Sequence, residues 1–263
     1  MATRRFRVSA VWILSLLVPI WFAQPWPIAA AELNVGGIDQ DGGTIKGVVK
    51  FSGRQAKRKR HRVDADAYCA HAHADKPLLK EKFVFGKDET LQNVFVYVSK
   101  GLEGKKFDPP TEKLTIDQKG CQYVPHVAGV VVDQTVEILN SDDTAHNVKL
   151  LSKKNGKQNN AMPAKGMVLK KKFGKAEMKV EYRCDVHPWM SAYVHVMEHP
   201  FFAVTQDDGT FTIRGLPPGK YELSVWHEFK VFKPDKPSVM VEVAAGKAAE
   251  VTFTYAPKKK RKK

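Results

Sequence analysis

The chain has 263 residues, 43% of them apolar, with 43 Lys and Arg against 28 Asp and Glu for a net charge of +15. That apolar share is too high for a disordered basic polymer, and the length suits one large domain or two small ones. Three cysteines are too few for a disulfide-built scaffold, and an odd number leaves at least one thiol without an intrachain partner.

The first 31 residues read as an export signal. Arg4, Arg5 and Arg7 form a positive start, residues 8–23 are apolar, and Ala29, Ala30 and Ala31 offer a small-residue cleavage site. Pro19, Gln24, Pro25 and Pro27 interrupt the run of about 20 apolar residues that a spanning helix needs. Thr3-Arg4-Arg5-Phe6 is similar to a twin-arginine signal with Phe6 one place early, so the export route stays open. Cleavage after Ala31 would deliver a periplasmic or secreted protein, with membrane association left open, in a compartment where disulfides persist. Three of the fifteen positive charges leave with the signal, six sit on the tail at 257–263, and six remain on the body. An exported chain does not meet the nuclear import machinery. The basic tail is therefore expected to be solvated, in loose contact with anionic surfaces at most, and nucleic acid is not an expected partner. Residues 57–62, also basic, read as a solvated loop.

Beyond the signal the hydrophobic period is two, with no sustained helical window. Strands are expected at 44–51, 91–98, 127–132, 135–139, 148–151, 167–173, 178–184, 192–197, 210–213, 220–226, 239–243 and 251–255. Asp41-Gly42-Gly43, Asp207-Asp208-Gly209, Pro217-Pro218-Gly219 and Ala245-Gly246-Lys247 punctuate them. Many short strands at this spacing imply an all-β protein of sandwiches or barrels.

The densest chemistry lies at 178–190. Alternation places Met178, Val180, Tyr182 and Cys184 on one face and Lys179, Glu181 and Arg183 on the other. Cys184 then opens the tight loop Cys184-Asp185-Val186-His187-Pro188-Trp189-Met190. Upstream, the strand at 135–139 leads into Ser141-Asp142-Asp143-Thr144-Ala145-His146, which delivers a second histidine. One thiolate, two imidazoles and a thioether make the donor set of a trigonal His₂Cys copper site with a weak axial Met. Thiolate favours Cu(II), thioether favours Cu(I), and imidazole tolerates both.

His146-Asn147-Val148 followed by Cys184-x-x-His187-x-x-Met190 resembles the cupredoxins, the small blue copper electron carriers, and its short loop is similar to that of amicyanin. Tyr123-Val124-Pro125 and Val136-Glu137-Ile138-Leu139-Asn140 resemble the family's paired strands, so the likeness runs from about Lys119 to Met197. It implies a Greek-key β-sandwich, copper held by His146, Cys184, His187 and Met190, and Asn147 tying the two ligand loops together by hydrogen bonds. His126 departs from that pattern; an ordinary surface histidine, a substrate partner and an alternative donor all stand open.

A second resemblance covers the flanks. Residues 207–223, with Asp207-Asp208-Gly209 and Leu216-Pro217-Pro218-Gly219, are similar to the hairpin of carboxypeptidase regulatory-like, transthyretin-like β-sandwiches. Strands like 43–49, 93–98 and 249–253 complete such a module. The expected organisation is therefore one discontinuous Ig/transthyretin-like sandwich from 41–103 and 199–256, with the cupredoxin domain at 104–198 between its parts. The hairpin implies a fold, not peptidase activity.

With Cys184 given to metal, Cys69 and Cys121 form an even pair, and a disulfide between them is the economical reading. Cys69-Ala70-His71-Ala72-His73, if extended, instead sets one thiol and two imidazoles on one face as a second metal site. The expectation is an exported electron carrier, not an enzyme, because no nucleophile–base pair or open coordination position is evident. Electrons would pass at the ring of His187 among Pro188, Trp189 and Met190, and the positive body would steer towards an acidic redox protein. Copper sequestration or delivery is one alternative. The other is an adhesive or carbohydrate-binding sandwich that uses Trp226, Phe229 and Phe232. Oligomeric state is not legible.

Overall fold

The computed structural model describes residues 42–258, so the signal expected at 1–31 and the tail past Lys258 lie outside the described residues. Within them the chain runs β1 Gly43–Phe51, α1 Ala67–Ala72, β2 Phe95–Lys100, β3 Leu114–Gln118, β4 Tyr123–Val124 and β5 Val127–Val131. It continues β6 Val136–Asn140, β7 His146–Leu151, β8 Gln158–Met162, β9 Val168–Lys171, β10 Glu177–Arg183 and β11 Ser191–Met197. The last strands are β12 Phe202–Val204, β13 Thr210–Leu216, β14 Gly219–Trp226, β15 Phe232–Pro234, β16 Ser238–Val243 and β17 Ala248–Pro257. The fold is all-β. No helix among the described residues is long and apolar enough to cross a membrane.

Four sheets make two sandwiches. Sheets β13-β1-β17-β15 and β12-β2-β14-β16 draw strands from both ends of the chain, whereas β5-β11-β10-β7-β8 and β4-β3-β6-β9 use residues 114–197 alone. Alternation explains the first pair. β17 turns Val251, Phe253 and Tyr255 inward and Glu250 and Thr252 outward, and β13 buries Phe211 and Ile213 opposite exposed neighbours. Each such apolar side chain contributes about 1.5–3 kcal/mol when removed from water. The turn between β12 and β13, which carries the chain from one sheet to the other, is closed by Gly209 at φ 74° and by Asp208, whose carboxylate accepts from the Thr210 N–H at 2.8 Å.

The second sandwich has its own core, built around Tyr123, Ile138, Val148, Tyr182 and Val194. A third cluster, Phe95, Val127, Tyr193 and Met197 with Trp226 and Phe202 against it, lies where the sandwiches meet. β2 and β11 are therefore buried on both faces: Val96 and Val98 face the first core and Ala192, Val194 and Val196 the second, while Phe95 and Tyr193 face the seam. Gly129 on β5 permits the approach, since a Cβ there would stand 2.3 Å from the Phe202 ring.

Several local expectations change. The strand expected at 91–98 begins only at Phe95, because Asn93 at φ 60° breaks it and Leu91 makes only an isolated bridge to Phe85. Met178 is 40% exposed, not inward. A register shift between Glu177 and Val180, with Lys179 at φ 66°, turns Glu177 inward instead. There its carboxylate accepts from the Ser152 hydroxyl at 2.6 Å and the Lys153 N–H at 2.6 Å, closing the loop after β7. β3, β8, β12, β15 and α1 also stand where no strand or helix was expected.

Candidate metal centre

Cys184 follows directly on β10, and β10 pairs with β7, so the cysteine loop and His146, the first residue of β7, meet at one end of the sheet. The loop closes on itself: the His187 N–H points to Cys184 Sγ at 3.4 Å and the Met190 N–H donates to the His187 carbonyl at 2.9 Å. His146 Nδ1 and His187 Nδ1 stand 2.9 Å apart, and Cys184 Sγ is 4.0 Å from His187 Nδ1. One donor atom from each of the three residues lies within 4.8 Å of the others, and all three side chains are buried. Met190 is buried in the same cluster as Cys184. Three of the four residues singled out for copper, His146, Cys184 and His187, are thus collected around one point, and Met190 is placed no more closely than by that shared cluster.

Ionisable groups surround this point. Asp142 is buried behind His146, and its Oδ2 accepts from His146 Nε2 at 3.0 Å and the Cys121 N–H at 2.8 Å. Its Oδ1 accepts from the Gly120 N–H at 2.6 Å and the Tyr68 hydroxyl at 3.2 Å. Burial works against ionising Asp142, but the His146, Cys121 and Gly120 donors together hold it below the usual carboxylate range. Burial likewise disfavours charge on His146, yet Asp142 and the Cys184 thiolate raise it to about 9. Burial pushes the Cys184 thiol up, and the histidines with the Asn147 and His187 backbone groups bring it down to about 6. The two shifts run in opposite directions, and each favours the charged form of its group, the thiolate on Cys184 and the protonated ring on His146.

Asn147 spans the two loops. Its Oδ1 accepts from the Asp185 N–H at 2.6 Å and the Val186 N–H at 3.3 Å and lies 3.3 Å from Cys184 Sγ, while its Nδ2 donates to Asn159 Oδ1 at 2.5 Å. Tyr123 supports the same junction, its hydroxyl lying 3.0 Å from the Asn147 carbonyl and 2.9 Å from that of Arg183.

One expectation about the surroundings fails, and of the two readings of Cys69 the disulfide is the one present. His187 is 1% exposed, so its ring is not the edge nearest solvent. α1 and the Cys69–Cys121 disulfide lie over it, with Asp66 Oδ2 3.3 Å from His187 Nε2. Cys69, His71 and His73 do not line one face of an extended strand either. Residues 67–72 are helical, Cys69 is bonded to Cys121, and His73 Nε2 points to the Gly120 carbonyl at 2.8 Å. Asp66, Cys69 and His187 also cluster, but a disulfide sulfur is not a thiolate donor.

His126 is 6% exposed rather than on the surface. Its Nδ1 faces the Ser191 carbonyl at 2.9 Å and Glu81 at 3.4 Å, and its Nε2 faces Glu228 at 2.7 Å. Every neighbour is an acceptor, which favours a proton on each ring nitrogen over a lone pair offered to a metal. Burial lowers the affinity of His126 for its proton, but Glu228 and Glu81 more than offset this and raise it. The ion pair instead pins the segment following β14 to the other sandwich. Phe229 and Phe232 are half-buried and pack on one another at 4.7 Å, and Trp226 packs on His195 at 4.4 Å.

No curated protein matches the chain. A family profile described as the β-sandwich domain of ER membrane protein complex subunit 7 matches residues 185–262. Among solved structures, a copper(I) form of an amicyanin mutant is similar at 24% identity, covering 32% of this chain and 81% of its own, with a TM-score of 0.29. A purple cupredoxin from Nitrosopumilus maritimus is similar at 21% identity over 32% of this chain and 98% of its own, with a TM-score of 0.28. A copper-containing nitrite reductase from Thermus scotoductus is similar at 24% identity over 37% of this chain and 25% of its own, with a TM-score of 0.30.

Proposed function

We propose that the chain is an exported copper protein that holds one type 1 copper with His146, Cys184, His187 and Met190 and carries single electrons between redox partners. The carrying observation is the buried convergence of two imidazoles on a cysteine whose thiol is lowered to about 6. Bound copper would supply a one-electron couple there. The chain's own part is to keep the donors still: Asp142 holds the His146 ring, Asn147 holds the cysteine loop, and two packed sheets hold both. The buried Cys69–Cys121 disulfide supports export, since such bonds persist in oxidising compartments.

With the outer edge of His187 covered, a partner would meet the loop from its other side. Trp189 borders a cleft of about 500 Å³ whose lining mixes Lys80, Lys82 and Arg183 with Glu81 and Glu228, so steering towards an acidic partner would rest on the net positive charge of the body.

The test is the visible spectrum and voltammogram of the mature protein after addition of Cu(II). An intense thiolate-to-copper band that disappears in Cys184→Ser, with reversible reduction, is the expected result; a band that survives that substitution refutes the assignment. The covered His187 favours one second reading, copper retention or delivery, which predicts the band without a reversible couple.

A further inference from the structure

The ring of His187 is held from outside the 114–197 sandwich. Asp66 has extended backbone, φ −126° and ψ 124°, and caps α1 by accepting the Cys69 N–H on Oδ1 at 2.9 Å. That leaves Oδ2 free for the Thr144 hydroxyl at 2.8 Å and His187 Nε2 at 3.3 Å. Cys69 Sγ, fixed by its bond to Cys121, stands 3.6 Å from the same ring nitrogen. The Trp189 ring lies 5.0 Å from that of His187, and its indole N–H donates to the Cys121 carbonyl at 3.0 Å. A carboxylate at Nε2 places the proton there and leaves the Nδ1 lone pair directed at His146 and Cys184.

We propose that Asp66 is a positioning residue for the copper ligand His187, and that the segment 66–72 closes that ligand's outer edge to solvent and to partners. The proposal rests on the copper reading. A carboxylate behind a ligating imidazole fixes its tautomer and raises its basicity, which favours the more highly charged metal ion. Asp142 stands in the same relation to His146, so both imidazoles of the centre are backed by carboxylates. The Asp66 carboxylate at 3.3 Å and the disulfide sulfur at 3.6 Å also restrain the ring from its outer side.

Asp66→Asn separates this role from helix capping, because Asn caps helices about as well as Asp while losing the charge. In the copper-loaded full mature chain, the variant should keep the thiolate-to-copper band but raise the reduction potential, the ratio of Cu(II) to Cu(I) affinity falling about tenfold. In the metal-free chain, nitrogen-15 NMR of His187 should show Nε2 protonated in the wild type and a tautomer mixture in Asp66→Asn, with Asp66→Glu restoring the wild-type pattern. Removing the disulfide by Cys69→Ala with Cys121→Ala should speed chelator capture of Cu(I) about tenfold or more. An unchanged potential and tautomer in Asp66→Asn overturns the positioning role, and an unchanged capture rate overturns the closure. A wild type that lacks the thiolate-to-copper band defeats the copper reading instead, and the metal-free NMR still decides whether Asp66 sets the ring.

Discussion

Replacing Asn147 by Ala removes the side-chain acceptor that two backbone donors of the cysteine loop share. Two backbone donors lose their partner, the Asp185 N–H at 2.6 Å and the Val186 N–H at 3.3 Å, along with the bond to Asn159. Asp185 and Val186 are exposed residues, so water can replace much of what is lost, and each bond counts at its net worth of about 1 kcal/mol rather than at full desolvation cost. Counting the two backbone bonds and setting aside the bond to the exposed Asn159, the expected loss of stability is about 2 kcal/mol in the metal-free protein. If that energy serves to hold Cys184 and His187 in place, copper affinity falls by about thirtyfold, since 1.4 kcal/mol is a factor of ten. Urea unfolding of the metal-free variant gives the first number, provided the slope m is unchanged, and competition with a chelator gives the second. Loss below about 0.5 kcal/mol together with wild-type copper affinity would falsify the account of Asn147 as the tie between the loops.

Three further outcomes follow from the same geometry. Converting both Cys69 and Cys121 to Ala opens a loop of 52 residues and should lower stability by about 4 kcal/mol on the chain-entropy account; a change within 1 kcal/mol in urea contradicts it. Copper uptake must displace a proton from His146, raised to about 9, while Cys184, lowered to about 6, is already a thiolate. Apparent affinity measured by chelator competition should therefore rise about tenfold per pH unit from 6 to 9 and more steeply below 6, and a flat profile would exclude the thiolate–imidazolium pair. His195 is buried with both ring nitrogens unpartnered among the described residues, and burial, with Lys179 adding to it, depresses it to about 3. The unfolded chain then binds the proton first, so the contribution of His195 is complete above pH 6.5 and shrinks as pH falls towards 3. At pH 5 the loss is about 2 kcal/mol. His195→Leu should flatten the stability profile between pH 7 and pH 5 by that amount, and an equal slope in both proteins rules it out.

What the sequence made legible was whatever is local. The cysteine loop carries three of its chemically telling residues within seven positions, and His146 stands beside Asn147, so donor set and spacing are visible without a fold. Alternation marks β13, β14 and β17 because each has one wet face. Where structure depends on distant partners, the pattern is silent. α1 has six residues, too few to show a period, and is fixed by the Asp66 cap and the bond to Cys121. β8 reads Gln158-Asn159-Asn160-Ala161-Met162 and is a strand because it lies at a sheet edge on β7, which supplies its ladder. His126 turns inward because Glu228 waits on the other sandwich. Asp142 could have been suspected, as a carboxylate four residues before a ligand histidine. Asp66 had no such signal.

β1 lies between β13 and β17 and pairs with β17 in parallel, Thr44 opposite Ala248 through Phe51 opposite Tyr255. The first strand of the fold thus waits for the last. A chain emerging from its amino end has β1 long before its partner exists, whereas the strands between 114 and 197 can pair among themselves at once. Contacts of such sequence separation form slowly because loop closure precedes their reward. The cluster of His146, Cys184 and His187 would then take shape while the outer sandwich is still open, and a truncation removing only β17 would strip β1 of its parallel neighbour.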